Sequence, residues 1–382
     1  MKIPFYLPYL DDEECREVVA SVQSNWLSKG PRTEEFEREF ARFVGSRHAV
    51  GLNSCTAGLH LAQLALGIGP GDEVITTPFT FAATANTIIH CGAKPVFVDI
   101  DPRTLNIDPD KIEQAITPRT KAIIPVHFAG LPCEMDRIRD IADTYGLAVI
   151  EDAAHAVYAQ YKGRPVGSIG DITCFSFYAT KNLTTGEGGM VTTADQQLAA
   201  KIRRMSLHGM SKNAWNRYSD KGSWYYEVED AGFKYNMTDL QASFGLVQLR
   251  KLEAMQKLRQ QHAHLYTRFL GECDSLVLPV ELPELRHAWH LYPVRLRLDR
   301  LTIARDEMIQ QLGRAGIGTS VHFIPVPHHP YYRSIGYRLE DYPVTASAYP
   351  SILSLPFYPG LRAAEIQYVS ETLLSLIGKH SR

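Results

Sequence analysis

The chain contains no CxxC pair, no long run of Lys or Arg and no low-complexity tract. No apolar stretch reaches the roughly 20 residues that span a bilayer. Its six cysteines, Cys15, Cys55, Cys91, Cys133, Cys174 and Cys273, stand singly. That scatter suits reduced thiols and argues against a disulfide frame or a zinc site. With 40 Lys+Arg against 42 Asp+Glu the net charge is −2, so neither nucleic acid nor an anionic membrane is an expected partner. Met1-Lys2-Ile3-Pro4-Phe5 is not a basic stretch followed by an apolar run, so no signal peptide is expected and the reading places the protein in the cytoplasm.

What is present is a soluble globular composition, 45% hydrophobic and 21% charged over 382 residues, a length that predicts one large domain and one smaller. From residue 47 to 195, β-rich runs alternate with helical spacing. The expected strands are Ala49–Leu52, Glu73–Thr77, Pro95–Val98, Ala122–Val126, Ala148–Ile150, Thr173–Phe177 and Met190–Thr193. The expected helices between them are Ala57–Leu66, Ala82–His90, Pro109–Ile116 and Met135–Tyr145. Near-continuously apolar strands separated by helices predict an α/β fold whose mainly parallel, seven-stranded sheet is covered on both faces. Ligands in such sheets gather at the carboxyl ends of the strands.

After a helix ending near His208, residues 211–235 form a polar segment with Trp215, Tyr218, Trp224, Tyr225, Tyr226 and Phe233, read either as a surface flap or as an arm that packs on another subunit. A long helix is expected from Leu240 to Leu270. Beyond it, a strand at Leu291–Leu298 and helices at Ile303–Ala315 and Ala363–Ile377 suggest a smaller α+β domain. The expected boundary divides 1–250 from 251–382.

Three stretches could carry chemistry together. In Gly51-Leu-Asn-Ser-Cys-Thr-Ala-Gly-Leu-His60 a strand ends where a helix begins, and the free N–H groups of a helix start bind anions; an ordinary N-cap at Asn53 or Ser54 is the plainer reading. In Gly146-Leu-Ala-Val-Ile-Glu-Asp-Ala-Ala-His155 a buried strand delivers Glu151 and Asp152 to its end. A carboxylate there is costly unless it meets a cation, such as a protonated pyridine nitrogen; a solvated loop carboxylate is equally compatible. In Cys174-Phe-Ser-Phe-Tyr-Ala-Thr-Lys-Asn-Leu-Thr-Thr-Gly-Glu-Gly-Gly189, Lys181 follows an apolar strand. Only a neutral amine attacks a carbonyl, so such a lysine needs surroundings that depress its pKa. An isolated lysine is usually a solvated surface group. A phosphate cup, an Asp and a Lys on one side of one sheet are what an aldehyde cofactor with a phosphate and a pyridine nitrogen requires.

Phe81, in Thr76-Thr-Pro-Phe-Thr-Phe-Ala83, could stack on a flat ring or belong to the core. His287, His290, His322, His328 and His329 lie in proline-broken loops whose spacing makes a metal cluster a poor expectation. They read instead as substrate-facing residues.

The joint pattern resembles the DegT/DnrJ/EryC1/StrS sugar aminotransferases, pyridoxal-phosphate enzymes of the aspartate-aminotransferase fold type I, nearly end to end. The resemblance runs through Ser24-Asn-Trp-Leu-Ser-Lys-Gly-Pro31, Gly71-Asp-Glu-Val-Ile-Thr-Thr-Pro78, Glu-Asp-Ala-Ala-His155, the Lys181 loop, Gly232-Phe-Lys-Tyr-Asn-Met-Thr-Asp239, His287-Ala-Trp-His290 and Gly316-Ile-Gly-Thr-Ser-Val-His322. Among members it looks most similar to the aminotransferases that make UDP-4-amino-4-deoxy-L-arabinose for lipopolysaccharide. The resemblance implies pyridoxal 5'-phosphate as cofactor, L-glutamate as donor and a nucleotide-linked 4-keto-pentose or 4-keto-6-deoxy-hexose as acceptor. It implies that Lys181 anchors the cofactor covalently and moves the proton, and that Asp152 keeps the pyridine nitrogen protonated. His155 would lie near the ring's hydroxyl side, Phe81 would stack on the ring, and Ser176, Cys55 and Thr56 would hold the phosphate. Asn236 would reach the phosphate of the neighbouring subunit in a homodimer, and Trp26 and His322 would face substrate. A dTDP-3-keto-sugar aminotransferase and a non-catalytic nucleotide-sugar-binding regulator are the alternatives. A dehydratase of this fold would carry histidine in place of Lys181, and a desulfurase would need a cysteine on a mobile loop.

Overall fold

The computed structural model describes residues 1–211 and 225–382; Trp215, Tyr218 and Trp224 lie outside them. Seven strands form the large sheet: β1 (His48–Leu52), β2 (Glu73–Thr76), β3 (Lys94–Phe97), β4 (Thr120–Ile124), β5 (Ala148–Asp152), β8 (Ile172–Ser176) and β9 (Gly189–Thr193). The order is β1-β9-β8-β5-β4-β2-β3. The β8–β5, β5–β4, β4–β2 and β2–β3 pairs are parallel, while β9 runs antiparallel to both of its neighbours. Every strand but β9 therefore points the same way, and their carboxyl ends share one edge. Two short strands, β6 (Gln160–Tyr161) and β7 (Arg164–Pro165), pair with each other, and β6 pairs on its other side with β11 (Leu285–Arg286), in a small separate sheet.

The buried strands alternate with α3 (Cys55–Ala65), α4 (Ala82–His90), α5 (Met135–Tyr145) and α6 (Gln196–Met205). The segment expected as a helix at 109–116 is instead two 3₁₀ turns, Pro109–Lys111 and Glu113–Ala115. Asp108 caps the first turn, and only Pro109 and Ile112 of this stretch are buried, too few for a full apolar stripe.

Two helices precede the sheet, α1 (Asp12–Gln23) and α2 (Pro31–Phe43). Helix α2 buries Phe36 and Phe40 against Phe175 and Phe177, with ring centroids 5.0–5.4 Å apart across the two segments. A fully buried Phe contributes about 1.5–3 kcal/mol, so α2 is held by its aromatic face. Its N-terminus is capped from a distance. The buried Asp239 carboxylate accepts from the backbone N–H groups of Gly30, Arg32 and Thr33 at 2.7–3.1 Å.

Asp239 also opens α7 (Asp239–Leu270), whose start carries a Thr238/Gln241 capping box. The first half of α7 buries Ala242, Leu246, Leu252 and Met255 with the α2 aromatics. Its second half buries Ala263, Tyr266 and Leu270 in a different core, with Ile3 and with residues 276–377. That second core surrounds a three-stranded sheet of β10 (Leu276–Val277), β12 (Tyr292–Leu296) and β13 (Ile352–Leu355). Helices α8 (Arg305–Arg314), α9 (Pro330–Ser334), α10 (Pro343–Ala348) and α11 (Ala363–Lys379) complete this part. No described helix is long and apolar enough to cross a membrane.

Candidate active site

A cavity of about 500 Å³ opens at the carboxyl-end edge of the large sheet. Its floor comes from the sheet and from the start of α3. Strand β1 ends at Leu52, and Ser54 caps α3 by accepting from the Ala57 N–H at 3.1 Å. The Cys55 and Thr56 N–H groups stand ahead of the first helical bond, as the first donors of any helix do. The approach of β9 to this turn depends on glycine: a Cβ on Gly189 would lie 2.4 Å from the Ser54 carbonyl carbon and 2.5 Å from the Cys55 nitrogen. The Cys55 thiol turns inward to the Cys174 carbonyl at 3.5 Å, and burial pushes it well above its ordinary pKa. It is an uncharged packing group, so backbone donors and the exposed Thr56 hydroxyl are what this turn offers an anion.

Asp152 ends β5 and is buried. Its Oδ2 accepts from the Thr84 hydroxyl at 2.8 Å, and its Oδ1 from the Ala154 N–H at 3.2 Å. Thr84 in turn lies 2.8 Å from the Thr80 hydroxyl. Because Thr84 donates to Asp152, Thr80 donates to Thr84. Burial raises the Asp152 pKa, and these donors with the Lys181 charge offset only part of it. No cation stands within ion-pairing distance of Asp152 among the described residues.

Lys181 follows β8 through a turn closed by its own N–H on the Tyr178 carbonyl at 2.9 Å. Burial lowers its pKa to about 8, with Cys55 and Asp152 opposing. At neutral pH an appreciable fraction is thus the free amine, the form that attacks carbonyls. Thr184 and Thr185 donate to the Phe177 and Glu187 carbonyls, which fixes the Gly-rich turn behind the lysine.

His155 lies beyond Asp152 on the same loop. Its ring stacks on Phe323 with centroids 5.6 Å apart, and burial, with Lys181 and His322 beside it, drives its pKa well below the ordinary value. Its buried Nδ1 has no hydrogen-bond partner among the described residues. Ser176, at the end of β8, lines the cavity beside Tyr178. Phe81 precedes α4 and is 64% exposed at the rim. His322 bonds Ser354 at 2.9 Å, and burial lowers its pKa to about 4.

Of the residues singled out in the sequence, Cys55, Thr56, Phe81, Asp152, His155, Ser176, Lys181 and His322 meet in this one cavity. Trp26 does not: it is 52% exposed and covers Gly30 at the start of α2. Asn236 is also outside this chain's cavity, bridging Leu52 while its amide donates to the Met237 carbonyl at 3.0 Å. Among the other histidines expected to face substrate, His290 lines the cavity. His287 is buried against Trp289, and His328, in the 3₁₀ helix Val326–His328, sits beside Tyr349; neither of them lines the cavity, nor does His329. The sequence reading missed Thr80 and Thr84, and the N-terminal pair Phe5 and Tyr6 that forms part of the wall.

The model of the DegT/DnrJ/EryC1/StrS aminotransferase family matches residues 8–374. The chain belongs to this family. It is 56% identical to the spore coat polysaccharide biosynthesis protein SpsC of Bacillus subtilis (strain 168) over 377 residues, covering 98% of this chain and 97% of that protein. Among solved structures it superposes on Spr1654 from Streptococcus pneumoniae in its PLP-form with a TM-score of 0.93 at 34% identity, over 99% of each chain. It also superposes on PseC, a Helicobacter pylori aminotransferase involved in the biosynthesis of pseudoaminic acid, with a TM-score of 0.93 at 28% identity, covering 99% of this chain and 100% of that one.

The DegT/DnrJ/EryC1/StrS chain described here is therefore a transaminase of fold type I that works with pyridoxal phosphate. The cavity fits that cofactor on its own chemistry. An unpaired buried carboxylate, a half-buried lysine of lowered pKa and a helix start rich in donors match a pyridinium, an aldehyde and a phosphate.

Proposed function

We propose that this transaminase moves the amino group of L-glutamate onto C4 of a nucleotide-linked keto-sugar, a UDP-4-keto-pentose or a 4-keto-6-deoxy-hexose, releasing 2-oxoglutarate. The carrying observation is the convergence of Lys181 and Asp152 in one cavity whose outer wall, Phe5, Phe81, His322 and Phe323, is mostly apolar and ring-shaped. Such a wall accepts the flat apolar face of a sugar that lacks a terminal hydroxyl. The SpsC and PseC names, from polysaccharide and pseudoaminic acid synthesis, support a sugar as acceptor.

When bound, the cofactor supplies the electron sink for breaking a C–H bond next to nitrogen. This chain's residues do the rest. The Lys181 amine would anchor the cofactor and, once the donor's amine displaces it, would be free to take the α-proton and later return a proton to the sugar carbon. Asp152, steadied by Thr84, would hold positive charge on the ring nitrogen. The Cys55 and Thr56 N–H groups, the Thr56 hydroxyl and Ser176 would hold the phosphate, and Phe81 would cover the ring. A lysine placed this way is worth roughly 10²–10⁴ in rate as acid and base.

The site is completed in a homodimer, with Asn236 reaching the partner's phosphate. Support for this is its position on the segment 232–239, outside its own cavity but paired to the end of β1. The described N-terminal segment also exposes Leu7, Leu10, Val19, Val22 and Leu27, each at least 47%, an apolar surface suited to burial.

A panel of UDP- and dTDP-linked 3-keto and 4-keto sugars, incubated with enzyme and glutamate and read by mass spectrometry, tests the reading. The expected result is a 4-amino product and stoichiometric 2-oxoglutarate. A product aminated only at C3, or none with any sugar while another acceptor turns over, would replace it.

A further inference from the structure

Next to Lys181 the structure holds a polar network that the cofactor chemistry does not require. Asn182 and His290 are both about nineteen-twentieths buried. The Asn182 Nδ2 donates to the Ala288 carbonyl at 2.6 Å. A carbonyl can only accept, so the amide orientation is settled and Oδ1 faces His290, 3.0 Å from its Nδ1. An amide oxygen also only accepts, so the His290 proton is on Nδ1. Its Nε2 is left as a bare lone pair, on a ring that lines the cavity and lies 4.3 Å from the His155 ring.

The loop that carries His290 is fixed from behind. Its backbone N–H donates to the Ala129 carbonyl at 2.9 Å. Arg259 of α7, 1% exposed, donates to the Trp289 and His290 carbonyls at 3.1 and 3.4 Å. No carboxylate pairs with Arg259 among the described residues. The charged or titratable groups acting on His290 are His155, Lys181, Arg259 and His322, all potential cations. With burial as the largest effect, they keep the ring neutral and its acceptor intact.

A neutral acceptor here can meet three kinds of donor: the ammonium of the amino acid, which is consumed in the reaction, the single ring hydroxyl of the cofactor, which the resemblance sets beside His155, and the hydroxyls of the sugar. Only the sugar brings several hydroxyls with no other partner assigned. We propose that His290 is a specificity-determining residue of the sugar half-reaction, its proton set on Nδ1 by Asn182 so that Nε2 accepts a hydrogen bond from a hydroxyl of the keto-sugar. This rests on the nucleotide-sugar reading above.

The test separates the two half-reactions and adds a readout independent of turnover. Conversion of the cofactor to its aminated form by glutamate, and back by keto-sugar, is followed by absorbance in wild type, His290→Phe and His290→Gln. Losing one hydrogen bond from an otherwise filled pocket predicts an apparent sugar affinity about tenfold weaker in His290→Phe. The glutamate step should change by less than about twofold, and His290→Gln, whose amide oxygen can accept, should recover most of the loss. Equal losses in both steps, or an unchanged sugar step, would overturn the assignment. In cofactor-free protein labelled with ¹⁵N-histidine, the signal missing from either variant should show a protonated Nδ1 and an unprotonated Nε2 at neutral pH. The opposite tautomer or an imidazolium would also overturn it. Failure of the nucleotide-sugar reading looks different: the aminated wild-type enzyme then finds no acceptor in the sugar panel, and the proposal falls with it.

Discussion

Replacing Thr84 by Val tests whether the Asp152 carboxylate is a poised but uncompensated charge. The two side chains have nearly the same shape, and Thr84 is fully buried, so packing survives while the 2.8 Å bond to Asp152 is removed. The Thr80 hydroxyl loses its acceptor as well. A hydrogen bond to a charged group is worth about 1.5–3 kcal/mol, one between neutral groups about 1 kcal/mol. Burial raises the Asp152 pKa, so the folded cofactor-free protein holds that proton more tightly than the unfolded chain. Its stability contribution is therefore lost as pH climbs from the unfolded value through the folded one. Above that window the carboxylate is ionised and the variant lacks the stronger bond; below it, only the weaker. Thermal melts of cofactor-free wild type and Thr84→Val should diverge as pH rises through the window. If the cofactor's ring nitrogen is the cation that meets Asp152, as proposed, it favours the ionised state, and the variant should bind cofactor about three- to thirtyfold more weakly. A melting difference that stays constant with pH would refute the charge argument and leave Thr84 as packing alone.

Lys181 titrates near 8, so in cofactor-free protein an amine-selective reagent should label it with a pH midpoint near 8, the reactive form lying above; a midpoint in the ordinary lysine range contradicts the burial argument. Lys181→Ala should retain bound cofactor, seen by absorbance after gel filtration, yet lose roughly 10²–10⁴ in turnover. Gly189→Ala forces a methyl against the Ser54–Cys55 peptide and should release cofactor on dialysis, with the fold largely kept by circular dichroism. Asn236→Ala should weaken cofactor retention only in the dimer, measured by holding the variant above and below its dissociation concentration.

The large sheet was legible because its strands are apolar runs and its helices α4 and α5 carry their spacing within single segments; both fall at the expected residues. Helix α1 gives no such signal. Val19 and Val22 are exposed, while its buried residues are Glu14 and Ser21. Glu14 is held by Gln248 and Lys251 of α7 at 2.7–3.0 Å, a docking by charge that leaves no apolar stripe to read. Helix α2 does carry a pattern, with Pro31 at its first turn and Phe36, Phe40 and Phe43 at helical spacing. Reading the sheet from residue 47 onward passes over it. The cavity was legible where one strand end carries one reactive group. Thr80 and Thr84 escape because their role exists only once α4 is laid beside β5.

The resemblance motifs that looked most remote from the chemistry turn out to be joined to it. Asp239, the last residue of the Gly232–Asp239 motif, caps the helix that begins in the Ser24–Pro31 motif. Asp239 also begins α7, which runs on to Arg259 and fixes the His287–His290 motif through two carbonyls. Asn182, next to Lys181, grips that motif from the other side. A single helix thus links the N-terminal helix pair, the lysine's neighbour and the second core. Shortening α7 within Glu253–Lys257 by one residue would rotate Arg259 by about 100° about the helix axis. The same rotation carries Ala263, Tyr266 and Leu270 out of the second core, so the change should loosen both the His290 loop and that core and cut cofactor-dependent turnover, while the core between α2 and the large sheet is kept.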